Sequence, residues 1–229
     1  MLVWLTSFPR SGNSLLRTIF NHCFGLETYS KYERTNEYSN VDIAKFMGAR
    51  PFGGELDDFL EKARAEQHVT VVKTHEEPES DDRAIYIIRN GLIATDSYRH
   101  YLAKIENVQC TWQQVVDGTA FPTWSAHIEA WSPMDRPNTL LIRYEDLLSP
   151  AAQENIDRIA DFTGLPMLRK WVNPFDTLQG MGKNYFRRGK VSVPWSIKKS
   201  EIDYFMSRNR LWMDRFGYSA RRSIFTLFR

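Results

Sequence analysis

A short apolar run, Leu2–Ser7, breaks into Pro9-Arg10-Ser11-Gly12-Asn13-Ser14, and an apolar-periodic segment follows at once. The order is strand, small-residue loop, helix. Such a loop exposes backbone N–H groups beside the fixed charge of Arg10. The orphan amides and the dipole of the helix N-terminus then favour a phosphate-like anion. It is not a Walker A loop, because no Gly-x-x-x-x-Gly-Lys-Ser/Thr occurs here.

The remaining pattern decides what that opening unit joins. A helix is predicted from Ser14 to Phe24, with Leu15, Leu16, Ile19 and Phe20 on one side. Residues 25–55 are polar and rich in Tyr, Gly and Asn, which predicts a long surface loop with a short helix. A charged helix over Glu55–Glu66 precedes two β-branched runs, Val69–Lys73 and Ala84–Ile88. Both read as buried parallel strands, separated by the acidic turn Glu76–Asp82. Helical periodicity returns at Leu92–Ile105 and Pro122–Trp131, and Thr139–Arg143 is a fourth apolar run. A helix over Pro150–Thr163 is closed by Gly164 and Pro166, and the last one, Lys199–Phe216, is stopped by Gly217. Strands alternating with helices predict an α/β fold: a three-layer parallel sheet with helices on both faces. No repeat or second-domain boundary interrupts it, so one domain over residues 1–229 is expected.

Composition narrows the setting. Hydrophobic content of 42% and charged content of 25% are those of a globular chain. Charge is unevenly spread, with ten Asp/Glu against three Lys/Arg over residues 53–82, and twelve Lys/Arg against three Asp/Glu over residues 183–229. A basic C-terminal segment serves an anionic ligand, nucleic acid or a membrane surface, or is simply a solvated face. Two cysteines, Cys23 and Cys110, make neither a disulfide framework nor a metal knuckle and read as buried thiols. No signal peptide or spanning segment precedes the first strand, so a cytoplasmic location is expected.

Four segments place polar groups just past strand ends, where an α/β sheet exposes its ligand crevice. They are Arg10–Ser14, Lys73-Thr74-His75, Arg89-Asn90 with Ser97 in the helix beyond, and Arg143-Tyr144-Glu145-Asp146. Each alone is compatible with mere capping; four on one sheet edge, three of them basic, point to anion handling. A fifth, Asn184–Lys190, flanks Gly189 with Arg188 and Lys190, and its plain alternative is a solvated basic turn.

These residues resemble the sulfotransferase superfamily that uses 3′-phosphoadenosine 5′-phosphosulfate (PAPS). The family's Tyr-Pro-Lys-Ser-Gly-Thr-Thr-Trp loop is matched by Phe8-Pro9-Arg10-Ser11-Gly12-Asn13-Ser14-Leu15, and its Lys-Thr-His stands intact at 73–75. Arg89 and Ser97 keep the family's 3′-phosphate spacing. Trp124-x-x-His127-x-x-x-Trp131, Tyr144-Glu145-Asp146 and Phe186-Arg187-Arg188-Gly189-Lys190 with Trp195 are similar to later family segments.

The resemblance implies a P-loop NTPase-like sulfotransferase fold and PAPS as co-substrate, with no metal. It implies that amides at Ser11, Gly12, Asn13 and Ser14 cradle the 5′-phosphosulfate, and that Arg89, Ser97, Arg187, Arg188 and Gly189 hold the 3′-phosphate. Tyr144 would reach the adenine side, and Trp195 would order the closing loop. His75 takes the place of the general base, its ordinary pKa near ~6.5 suiting a hydroxyl acceptor at neutral pH. Arg10 stands where the family has its catalytic Lys; it keeps the charge but cannot donate a proton, so its role is electrostatic at the leaving phosphate. Lys73 is either a second cation near the sulfonate or one half of a salt bridge. His127 is assigned to packing or hydrogen bonding. Leu15 in place of Trp, and Gly91-Leu92-Ile93 in place of polar residues, are departures from the family pattern.

The acceptor is expected to be a small-molecule hydroxyl or amine, met by loops 25–55, 104–123 and 173–186, with Tyr29, Tyr32, Tyr38, Phe46, Phe52 and Trp112 as candidate lining. Nucleic acid is not expected as a partner, and a homodimer is compatible with the sequence. The rival readings are a P-loop nucleotide or small-molecule kinase and a non-catalytic anion- or nucleic-acid-binding protein. The kinase would want the missing Gly-Lys-Ser/Thr and a strand-end Asp for Mg²⁺.

Overall fold

The computed structural model describes residues 1–32, 40–119, 121–182 and 191–221. Among them, β1 (Leu2–Thr6), β2 (Tyr29–Ser30), β3 (Thr70–Thr74), β4 (Arg83–Ile88) and β5 (Thr139–Arg143) form one parallel sheet in the order β2-β3-β1-β4-β5. The helices are α1 (Asn13–Phe24), α2 (Val41–Met47), α3 (Leu56–Ala65), α4 (Gly91–Lys104), α5 (Trp112–Val116), α6 (Trp124–Trp131), α7 (Ala152–Thr163), α8 (Phe175–Met181) and α9 (Lys199–Arg215).

The strands alternate between two cores, as a period of two requires. Val3 and Leu5 of β1, with Val71, Ile85, Ile87 and Ile142, meet Leu16, Ile19 and Phe20 of α1 and Ile156 and Ile159 of α7. Leu2 and Trp4, with Val72, Ala84, Tyr86 and Ile88, face the opposite layer, built from α3, α4, α5, α6 and α9. Every residue of β1 and β3 is buried, so neither shows the polar–apolar alternation of a half-exposed strand. The three-layer α/β fold expected from the sequence is the one observed.

One connection sets the rest. β3 and β4 are parallel and flank β1, yet only residues 75–82 join them. The chain must return the length of a five-residue strand, roughly 16 Å, while stepping over two strand spacings of about 4.8 Å each. Eight residues as a helix would reach only about 12 Å. The segment therefore crosses the sheet face as an extended strap, and its backbone must find partners other than its own. Side chains supply them. His127 donates from Nε2 to the His75 carbonyl at 3.0 Å, and Trp131, one turn later on α6, donates to the Glu76 carbonyl at 2.8 Å. Arg136 donates to the Ser80 and Asp82 carbonyls at 2.6 and 3.1 Å, and Trp4 reaches the Ser80 hydroxyl at 3.3 Å.

Gly91 opens α4 beneath two rings. A Cβ there would lie 2.6 Å from Phe205 and 2.7 Å from Trp124, so only glycine lets α6 and α9 close on this helix. The departure from polar residues at Gly91-Leu92-Ile93 is thus a packing choice.

Where element ends differ from the sequence reading, length explains it. β2 has two residues, α5 five and α8 seven, too few for a period to show. β3 runs on through Lys73 and Thr74, because β1 continues to offer ladder partners to Thr6. Cys23 is buried, which pushes its thiol to about 11, whereas Cys110 is only half-buried.

His127 carries a pH signature. The His75 carbonyl can only accept, so Nε2 bears the proton and Nδ1 accepts from the Tyr86 hydroxyl at 2.8 Å. Burial holds this imidazole neutral, down from 6.5 to about 3, against a smaller opposing effect of the His75 backbone hydrogen bond. The unfolded chain therefore binds a proton that the folded chain does not, between about pH 6.5 and 3. Stability is fully present above that window and falls as pH drops through it, by about 2 kcal/mol between pH 7 and 5. Urea unfolding across this range should show the slope, and His127→Gln should flatten it.

Candidate active site

The loop after β1 is a strained turn. Ser11 N–H donates to the Phe8 carbonyl at 3.2 Å, with Pro9 second and Arg10 third at a φ of 65°, the pattern of a type II turn. A non-glycine residue there costs about 1 kcal/mol or more. Gly12 follows with a φ of 126° and no capping side chain, so α1 presents its first amides without a cap. Thr6 Oγ1, Ser7 Oγ, Ser11 Oγ and Asn13 Oδ1 are buried here without a hydrogen-bond partner. Buried polar atoms are ordinarily satisfied, and four orphans within eight residues mark a place built for a polar guest. Three of them are hydroxyls able to donate, and they stand with uncapped amides and an arginine, so the donor set fits an oxyanion.

Gly12 also has a neighbour that forbids any side chain. A Cβ would stand 2.7 Å from both Ile87 of β4 and the Tyr144 ring. Tyr144 in turn lies beneath the Arg89 guanidinium, 4.3 Å from its ring centroid, and Arg89 Nη1 donates to the Arg10 carbonyl at 3.0 Å. One cation thus ties together the residues just past β1, β4 and β5. The Arg10 guanidinium sits 5.0 Å from the Tyr101 ring centroid. Ser97, half-buried, is one helical turn before Tyr101 on the same α4 face.

His75 begins the strap. Its Nδ1 is 2.7 Å from the Ser7 carbonyl, which can only accept, so the neutral ring carries its proton on Nδ1 and Nε2 is the basic nitrogen. Its N–H donates to the Tyr32 hydroxyl at 2.9 Å. The Tyr32 ring stacks on the imidazole at 6.2 Å, and Phe121 meets it edge-on at 6.4 Å. Lys73 is 6% exposed inside β3, with Nζ 5.8 Å from the Tyr32 ring centroid. Asn13 Nδ2 donates to the Thr74 carbonyl at 3.4 Å, joining α1 to the same strand end.

The structure therefore gathers Arg10–Ser14, Lys73, His75, Arg89 and Tyr144 at one end of the sheet. Arg187, Arg188 and Gly189, and Tyr38 with them, lie outside the described residues. Trp195 is 59% exposed. Of the aromatic candidates, Trp112 is a core residue, donating to the Glu201 carbonyl at 2.8 Å, and Tyr29 and Phe52 both pack on Phe59. Among the described candidates, Tyr32 reaches His75. Sequence reading did not find Tyr101, although its spacing of four from Ser97 was available. Glu145, named in the fourth segment, was given no partner there; it accepts from the Asn90 backbone N–H at 3.0 Å and from the buried Tyr218 hydroxyl at 3.0 Å. Burial, followed by that carboxylate, holds Tyr218 far above the ordinary phenol range.

A groove of about 750 Å³ runs along the other end of α1, lined by Thr18, Asn21, His22, Lys45, Phe46 and Trp171 among others. Among the described residues no cluster of metal-ligating side chains forms, and no helix is long and apolar enough to cross a membrane.

A sequence profile described as "Sulfotransferase domain" matches residues 2–192. No curated protein matches the chain. Among solved structures, the chain is similar to mouse sulfotransferase SULT7A1 complexed with PAP, at 16% identity and a TM-score of 0.60, over 95% of this chain and 89% of that one. It is also similar to retinol dehydratase in complex with androsterone and inactive cofactor PAP, at 18% identity and a TM-score of 0.57, over 98% and 83% of the two chains. A sulfotransferase domain from the curacin biosynthetic pathway aligns at 13% identity with a TM-score of 0.50, over 95% and 97%. At these identities the likeness is one of fold.

The packing at Gly12 generates a sharp expectation. Gly12→Ala should lose about 2 kcal/mol or more of stability, from overpacking and backbone strain together. Chemical denaturation measures it, and a variant as stable as the parent would contradict the close approach of Tyr144.

Proposed function

The chain belongs to the sulfotransferase family, and on that footing we propose that it transfers the sulfuryl group of PAPS to a hydroxyl or amine of a small-molecule acceptor. The observation that carries the reading is the hydrogen bond from His75 Nδ1 to the Ser7 carbonyl. It fixes a basic Nε2 on a ring tied to the chain only three residues before Arg10, so base and anion cradle share one frame.

PAPS, when bound, supplies an activated sulfuryl group and a phosphate leaving group. The chain's own residues do the rest by position and charge, as in phosphoryl transfer. Amides at the start of α1, with the Ser11 and Ser14 hydroxyls, hold the 5′-phosphosulfate. Arg10 offsets negative charge on the leaving phosphate, with two parallel donors where the family has a single ammonium. Lys73 adds a second cation from the neighbouring strand. His75 Nε2 takes the acceptor proton, and the Ser7 carbonyl stabilises the imidazolium that results. Arg89 and Ser97, with Arg187, Arg188 and Gly189, hold the 3′-phosphate. Tyr144 fixes the plane of Arg89 and borders the adenine side.

Two measurements test this. Calorimetry should show binding of 3′-phosphoadenosine 5′-phosphate (PAP) in preference to ATP and ADP; preference for ATP would overturn the reading in favour of a kinase. Once an acceptor is found by screening with labelled PAPS, His75→Ala should lose about 10²–10⁴-fold in kcat with PAP affinity kept. Full activity in that variant would remove His75 as the base.

Arg89→Ala gives the complementary result. It should weaken PAP binding by about 10-fold or more, the scale of a charge-assisted hydrogen bond. An unchanged Kd would contradict the 3′-phosphate assignment.

A further inference from the structure

We propose that Tyr32 is a positioning residue for His75, acting through its hydroxyl on the backbone and through its ring on the imidazole. The proposal rests on the reading of His75 as general base. His75 is the first residue past β3, so its amide has left the sheet ladder. Its N–H is instead held by the Tyr32 hydroxyl at 2.9 Å, while its carbonyl is held by His127 at 3.0 Å. Both backbone groups of the residue are therefore fixed by side chains from other elements. The ring has the same double support: the Ser7 carbonyl on Nδ1 at 2.7 Å, and the Tyr32 ring lying nearly parallel to it, 21° between planes.

Tyr32 is placed for this by β2, the two-residue edge strand. Tyr29 and Ser30 pair with Val72 and Lys73, and Lys31 N–H donates to the Lys73 carbonyl at 2.9 Å, so Tyr32 emerges level with the Thr74–His75 step. Lys31 also pairs with Glu76 and Glu79 of the strap, fixing the two segments in register. Burial is the leading reason the Tyr32 phenol is raised above its ordinary value, so at neutral pH it stays protonated. A neutral hydroxyl accepts from the His75 N–H without bringing a charge beside the imidazole. Lys73 Nζ lies 5.8 Å from the same ring centroid, so one aromatic side chain is in contact with both candidate catalytic groups of the Lys-Thr-His motif.

The two contacts separate by substitution. Tyr32→Phe keeps the ring and removes the hydroxyl; Tyr32→Leu removes both. The primary readout is ¹⁵N NMR of the imidazoles in the full chain, without and with PAP. The wild type should show His75 fixed as the Nδ1–H tautomer. Tyr32→Leu should raise the other tautomer about 10-fold or more, and Tyr32→Phe should recover most of that change. In turnover with labelled PAPS, kcat should fall ~10–100-fold in Tyr32→Leu and ~5-fold in Tyr32→Phe, with PAP Kd within about twofold. A merely structural tyrosine would lower Tm and leave the His75 tautomer of the folded fraction unchanged, and that result in Tyr32→Phe and Tyr32→Leu would overturn the proposal. Should Tyr32→Leu not fold, Tyr32→Phe decides alone: a wild-type His75 spectrum together with wild-type kcat sinks it. Failure of the underlying reading is separate, since it shows as retained turnover in His75→Ala.

Discussion

The return from β3 to β4 is the constraint on which this molecule is arranged. Parallel sheets ordinarily make such returns through a helix, whose backbone asks little of its surroundings. Here the distance permits only an extended strap, and each of its inward carbonyls needs a donor from elsewhere. That need fixes α6 against the strap. It also makes a neutral, fully buried histidine worth its desolvation, since a side chain that both donates and accepts is required between Tyr86 and His75. α4 and α9 then close on Trp124, with Gly91 as the only residue that fits between. Because the strap begins at His75, rigidity needed for folding becomes rigidity at the proposed base.

The opposite side of the cradle is governed by a single cation. Arg89 reaches the Arg10 carbonyl across the sheet and lies on Tyr144, whose ring leaves no space for a side chain on residue 12. The positive φ at Arg10 is costly alone, and the contacts of Arg89 and Tyr144 over-determine it, whereas Gly12 takes its own positive φ without steric cost. The hydroxyls and amides left unsatisfied by this geometry are what an oxyanion would meet.

Much of this was legible in the sequence, and particular residues show why. β1, β3 and β4 announced themselves as apolar or β-branched runs because both their faces are buried, and β5 as a short apolar run although only Ile142 is fully buried. Arg10–Ser14, Lys73–His75 and Arg89 stood out because several polar clusters follow strand ends on one sheet edge, although each alone is compatible with capping. Gly164 ends α7 as its Gly-then-Pro signature requires. What escaped was of two kinds. β2, α5 and α8 are shorter than the periods that reveal structure. Tyr32 and Glu145 were named, but what they meet was not: their partners lie 43 and 55 residues away, and no local pattern encodes such a meeting. Trp112 shows the converse error: an aromatic in a variable loop looks like a pocket wall until the fold supplies a helix for it to pack on.

The strap finally divides the chain by where it can grow. Segments such as 105–111 and 164–174 run over the surface, and added residues there would have their backbone groups met by water at a modest entropic cost. Between Glu76 and Asp82 no such freedom exists. One inserted residue would shift every later carbonyl off its donor, and the donors sit on elements that cannot follow. Added length is therefore accommodated on such surface segments, while the step from Thr74 to Arg83 is set by the donors that meet its carbonyls.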